Sequence, residues 1–182
     1  MIATMILMMM VSGSQAADLR WGTNAHEFLM DEAFSYESPA CLEQLKKGSA
    51  DVDAFEHQFS LELSYQHAMR APYQSVETAR TKMLAFIAQA YKDAREALAR
   101  GDADTSCFQR GRGLHPIQDS TSPVHEGFQV WDPYLNPLQI LDHGDQPFSK
   151  ETLEALRADP PRLQRTIDLM RETDTAGMLA PH

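Results

Sequence analysis

Between Gly111 and Trp131 the chain reads GRGLHPIQDSTSPVHEGFQVW. Eleven residues of it hold His115, Asp119 and His125, with no other ionisable side chain among them. On a helix, the four-residue step from His115 to Asp119 sets an imidazole and a carboxylate on one face, one turn apart. The step to His125 then runs through Ser120, Thr121, Ser122 and Pro123, a composition that favours a helix end. His125 is thereby free to return toward the same cavity from a new direction. Two nitrogen donors and one oxygen donor on a turned backbone suit a zinc ion. The competing reading of this segment alone is a helix end with a capping aspartate and two surface histidines.

Written as a pattern the segment is HxxxDxxxxxH. In the form LHPIQDSTSPVH it resembles the central zinc motif of the zinc-dependent phospholipase C family, whose fold is shared with the fungal single-strand-specific nucleases. The resemblance implies an all-α fold around a cluster of up to three zinc ions, with ligands drawn from the whole chain in a fixed order. That order is a Trp and a His near the mature N-terminus, an Asp, a His, the motif, and last a His followed by an acid. Here the chain offers Trp21, His26, Asp53, His67, the motif residues His115, Asp119 and His125, and then His143. The resemblance assigns Asp53, His67, His115 and Asp119 to one ion, His26 with a bridging Asp119 to a second, and His125 with His143 to a third. It also implies phosphodiester hydrolysis: the ions lower the pKa of a shared water and clamp the phosphoryl oxygens. Asp53 is the candidate catalytic residue, orienting or deprotonating that water.

The chain departs from the family after His143, where Pro147 stands in place of the acid expected four residues on; Asp145 and Glu151 are the substitutes at hand. The stretch beyond His143 is also shorter than relatives carry. In relatives the Trp opens the mature chain and coordinates through its amino group and carbonyl. A cut before Ala17 would leave Trp21 fifth, and a second cut after Arg20 would free its nitrogen. The alternative is that Trp21 serves as a core or lid residue.

Composition frames these residues. At 182 residues the chain is long enough for one domain with a substantial core. Residues 1–16, MIATMILMMMVSGSQA, carry no charge and end in a small-x-small pattern, so they read as a signal peptide without the usual basic start, ahead of a domain over residues 17–182. A secreted or periplasmic site is the corresponding expectation. Their ten-residue apolar run is too short to span a bilayer, and no transmembrane segment is expected in the mature chain. A net charge of -10 repels polyanions, which disfavours unassisted nucleic-acid binding. Cys41 and Cys107 are too few for a zinc–cysteine site; one disulfide between them is open.

The elements that must position the ligands are helical. Residues 21–34 read as a helix with Thr23 or Asn24 as N-cap and His26 in its first turn. Pro39 opens a second helix, capped by Ser38 and ended by Gly48, and Asp53 follows in a linker with Asp51 as fallback. His67 lies just before Pro72, whereas His57 reads as solvated. Residues 76–100 form the clearest helix, with Val76, Ala79, Met83, Phe86, Ile87, Ala90, Ala94 and Leu98 on one stripe. The motif helix starts near Asp104 or Thr105, and Gly111, Gly113 and Pro116 predict a kink in it. A Pro- and aromatic-rich loop crosses the cleft mouth, in which Phe128, Trp131 and Tyr134 line a substrate face or cover the cluster. Two helices close the chain, over residues 149–158 and 160–172, with Gly177 beyond.

The expected fold is therefore a single-domain all-α bundle with ligands projecting into its centre. Phospholipase C-like hydrolysis of a phospholipid head group or small phosphodiester is the leading expectation. Single-stranded nucleic acid is the alternative substrate, and a catalytically incomplete helical binding protein is the third class.

Overall fold

Short polar side chains decide where the helices begin. Ser38, Ser75, Asp102, Thr152 and Asp159 each accept a hydrogen bond from the backbone N–H three residues on, satisfying a donor that the first helical turn leaves unpaired. Pro39 and Pro160 occupy the first helical position, where their missing N–H costs nothing. The computed structural model describes residues 23–54, 57, 60–136 and 152–180. Residues 1–16, read above as a signal peptide, and Trp21, His143, Asp145, Pro147 and Glu151 lie outside the described residues.

The described helices are α1 (Thr23–Ala33), α2 (Pro39–Val52), a 3₁₀ helix (Leu61–His67), α3 (Val76–Ala99), α4 (Ala103–Ser120), α5 (Leu153–Arg157) and α6 (Pro160–Leu179). Together they form an all-α bundle without a strand among the described residues. One isolated bridge pairs Arg70 with Val130. It ties the loop after α4 to the turn after the 3₁₀ helix through Arg70 N–H to Gln129 O (3.1 Å) and Trp131 N–H to Arg70 O (2.8 Å). Among the described residues no helix is long and apolar enough to cross a membrane.

The motif helix α4 lies at the centre, packed most extensively against α2 and α3, with α6 across it. Glycine makes that approach feasible. A Cβ on Gly48 would fall 1.9 Å from the carbonyl oxygen of Phe108, and one on Gly111 would fall 2.1 Å from that of Leu45. The two backbones therefore cross in contact, glycine against main chain. The expected helix end at Gly48 is corrected accordingly: α2 runs through Gly48 to Val52, because the residue is needed for a close crossing and not for a left-handed cap. Pro116 likewise sits inside α4 without ending it. Gly177 lies within α6, not beyond it, since a Cβ there would meet the Tyr91 ring at 2.4 Å.

Two apolar clusters flank α4. Leu29, Met30, Phe34, Leu45, Leu114 and Met170 join α1, α2, α4 and α6. Met83, Ile87, Tyr91 and Phe128 join α3 to the loop after α4. Of the stripe expected on α3, Ala79, Met83, Ile87, Ala90 and Ala94 are buried and Val76 and Leu98 are exposed, while Tyr91 and Ala97, outside that stripe, are buried as well. Cys41 of α2 and Cys107 of α4 form a disulfide, with Cα atoms 5.3 Å apart across 66 residues of sequence. Beside it Arg110 makes a two-pronged pair with Asp174 of α6 (2.8 Å each) and a third bond to Glu37 (2.7 Å). Tyr91 O–H also donates to Asp174 (3.1 Å), so one buried network joins α3, α4, α6 and the α1–α2 turn.

Candidate metal centre

Each side chain of the centre is delivered by a helix end or a helix face. His115 and Asp119 lie one turn apart on α4. Asp53 is the C-cap of α2, and His67 is the last residue of the 3₁₀ helix, where Ala68 at φ 50° turns the chain away. His26 projects from the first turn of α1. The structure thus brings together five residues spread over more than ninety positions of sequence. Asp53, His67, His115 and Asp119 are all at most 4% exposed.

Four donor atoms converge. Asp119 Oδ2 lies 3.0 Å from His115 Nε2 and 3.2 Å from His67 Nδ1, and these two nitrogens are 3.1 Å apart. Asp53 Oδ1 lies 3.4 Å from His115 Nε2 and 3.7 Å from His67 Nδ1. A tetrahedron with metal–ligand bonds of ~2.0–2.1 Å has edges of about 3.3–3.4 Å, and the five separations, from 3.0 to 3.7 Å, lie near that length. The other oxygen of the same carboxylate, Asp119 Oδ1, lies 3.3 Å from His26 Nε2. His26, His115 and Asp119 form a second triad of suitable donors, with Asp119 presenting one oxygen to each group.

The electrostatics agree with the geometry. Burial lowers the His115 pKa to about 4, against the attraction and hydrogen bond of Asp119, which raise it. His115 is therefore neutral near pH 7, the form that ligates a metal. Burial by itself raises the Asp119 carboxyl, but the imidazoles of His115 and His125, with hydrogen bonds from His115 and His67, hold it well below the usual carboxylate range. The buried Asp119 carboxylate beside the neutral His115 imidazole is a site that a cation would complete. Nitrogen and oxygen donors in this number fit zinc.

His125 is fully buried in the turn after α4 and close enough to act electrostatically on Asp119. Its expected co-ligand His143 lies outside the described residues, as does Trp21. Two competitors sit elsewhere: Asp51 pairs with Arg112 (3.1 Å), and His57 bonds the backbone carbonyl of Asp51 (3.1 Å). Of the loop aromatics, Phe128 and Trp131 are buried and Tyr134 is exposed.

Two polar residues escaped the reading of the sequence. Ser49 Oγ lies 3.2 Å from His115 Nδ1, and Gln118 Oε1 lies 3.0 Å from His26 Nδ1. Both had a weak signal: Ser49 is one helical turn before Asp53, and Gln118 adjoins Asp119 within the motif. Beside the cluster a cavity of about 100 Å³ is bounded by His26 and Asp119, by the apolar Ala25, Leu29, Ala155 and Leu156, and by Arg162. Arg162 bridges Asp159 (3.0 Å) and the backbone carbonyl of Thr121, pinning the start of α6 to the end of α4.

Fold and site together define a helical bundle with a buried His/Asp centre. No protein-family model, curated protein or solved structure matches the chain.

Proposed function

We propose that this protein is a zinc-dependent phosphodiesterase, acting on a phospholipid head group or a small phosphodiester. The observation that carries the reading is the convergence of donor atoms from Asp53, His67, His115 and Asp119, with five separations of 3.0–3.7 Å that lie near the ~3.3–3.4 Å edge of a tetrahedral zinc site. His26 and the second oxygen of Asp119 would hold a further ion. Zinc bound there supplies a Lewis acid for phosphoryl oxygens and activates water at neutral pH.

The chain's own residues do the rest. Asp53, buried among the candidate ligands, is placed to accept a proton from the attacking water or to orient it. Ala25, Leu29, Ala155 and Leu156 give the adjoining cavity an apolar wall on one side of the cluster. That small apolar cavity and the net charge of -10 favour a compact substrate over a polyanionic strand. The disulfide supports folding in an oxidising compartment, in line with a secreted or periplasmic protein.

The test is metal content followed by product release. Purified protein is expected to carry zinc, to release phosphorylated head group from phosphatidylcholine vesicles, and to lose that activity to a chelator and regain it with added zinc. Release from single-stranded DNA alone would assign the nuclease reading instead. Protein that holds no zinc after dialysis against it would overturn the proposal.

A further inference from the structure

Among the described residues Arg162 is the only arginine or lysine that lines the cavity beside the cluster, and its own bonds leave part of it unused. That cavity, of about 100 Å³, is bounded by His26 and Asp119 at the cluster and by Arg162 in the first turn of α6. Arg162 Nε donates to Asp159 Oδ2 (3.0 Å) and Nη1 donates to the carbonyl of Thr121, with Glu126 Oε2 4.0 Å from the same Nη1. A guanidinium carries five N–H donors in a planar fork. Among the described residues Nη2 and its two hydrogens have no partner, and the side chain is 28% exposed, so a ligand can reach it. The bonds that it does make fix the fork in advance: Asp159 is the N-cap of α6 and Thr121 the C-cap of α4.

Charge decides when an anion can enter. Two carboxylates, Asp119 and Asp159, line the cavity against one guanidinium, so the protein's own charges there repel an anion. A dication held by His26 and Asp119 Oδ1 reverses that balance. A phosphoryl group suits the result, since one oxygen can meet a metal ion while another accepts from an arginine fork. We propose that Arg162 is the residue that binds the phosphoryl group of the substrate, giving its Nη2 hydrogens to one oxygen of a phosphodiester whose other oxygen meets the ion at His26 and Asp119. This inference rests on the zinc reading above.

The experiment measures binding of inorganic phosphate by calorimetry to the full chain, loaded with zinc and freed of excess ion, and again after chelation. The wild type is expected to bind phosphate only with zinc in place. Arg162→Met should weaken that binding about 10–100-fold with zinc content unchanged, and Arg162→Lys, which keeps the charge without the fork, should fall between. Thr166→Val is the control for the helix contact. It removes the Thr121–Thr166 bond (2.8 Å) between the end of α4 and α6, and Thr166 does not line the cavity. That variant should melt at a lower temperature and bind phosphate as the wild type does. For turnover, kcat/KM of Arg162→Met should fall alike on phosphatidylcholine vesicles and on soluble bis-p-nitrophenyl phosphate, because both present the same phosphoryl group. A fall on vesicles alone would place Arg162 at the lipid surface and overturn the proposal. Equal phosphate affinity in the wild type and Arg162→Met overturns it too, as does an equal loss in Thr166→Val. In the wild type alone, saturating phosphate should shift the guanidinium nitrogen resonances of Arg162; unmoved resonances overturn the proposal with no variant needed. Zinc-loaded wild type that binds no phosphate sinks this inference and leaves the metal centre standing, whereas a chain that takes up no zinc sinks the function proposed above and this inference with it.

Discussion

Asp119 is the residue on which the site turns, because its two carboxylate oxygens face different imidazoles: Oδ2 toward His115 and His67, Oδ1 toward His26. Removing it takes a donor from both candidate ion positions and leaves buried imidazoles without their anion. Asp119→Ala is therefore expected to lose most bound zinc, with affinity down well over tenfold. His57→Ala, whose ring bonds the Asp51 carbonyl away from the cluster, should keep the wild-type amount. Elemental analysis of the two proteins after identical dialysis is the measurement, and equal zinc in both would remove Asp119 from the centre. Asp53 differs from Asp119 in that it comes from the end of another helix, α2. Asp53→Asn should on this view reduce turnover more than it reduces folding stability, as seen by comparing kcat with the urea midpoint.

At the scale of elements, the α2–α4 crossing decides whether the ligands meet. Ser49 and Asp53 ride on α2, and His115, Gln118 and Asp119 on α4, so the cluster exists only at the separation that Gly48 and Gly111 permit. Alanine is the better helix former by about 1 kcal/mol, yet its methyl would press on backbone oxygens that cannot swing aside. Gly48→Ala and Gly111→Ala are each expected to destabilise by about 1–3 kcal/mol net and to lower zinc affinity with it. A gain in melting temperature from either would show that the helices are not in contact there. The Arg110–Asp174 pair acts at the same scale, joining α4 to α6. Arg110→Met alone strands Asp174 in a buried place and should cost about 3–5 kcal/mol, whereas the double change Arg110→Met with Asp174→Leu should recover much of it. Equal urea midpoints for the single and double variants would refute that coupling.

For the molecule as a whole, the disulfide and the proposed metal would be two cross-links of different chemistry on the same pair of helices. The Cys41–Cys107 disulfide closes 66 residues, and by loop-closure entropy its reduction should cost about 4 kcal/mol. On the proposed reading, metal held by α1, α2, the 3₁₀ helix and α4 would add its binding free energy to folding, so chelation should also lower the melting temperature, reversibly with zinc. Because both constrain α2 against α4, the two losses together should exceed their sum. Calorimetry of oxidised and reduced protein, each with and without chelator, measures this directly. Strictly additive shifts would mean that the links act on independent parts of the fold.

What the sequence by itself determined was local. The cap at Ser38 was legible because a side-chain oxygen three residues ahead of an orphan N–H is a short-range matter. The pairing of His115 with Asp119 on one face was legible for the same reason, since it follows from helical pitch alone. Asp53, His67 and His26 could be put in order along the chain but not in place, as nothing in their neighbours says which way a helix end will point. Only the tertiary structure decided what the glycines were for. Gly48 read as a stop signal and Gly177 as a residue past the helix, yet both lie inside helices, because a missing Cβ serves a close approach as well as a left-handed turn. Ser49 and Gln118 became visible for the same reason. A hydrogen-bonding side chain has no partner in sequence, and its meaning appears when packing brings an imidazole 66 or 92 residues away within 3.2 Å of it.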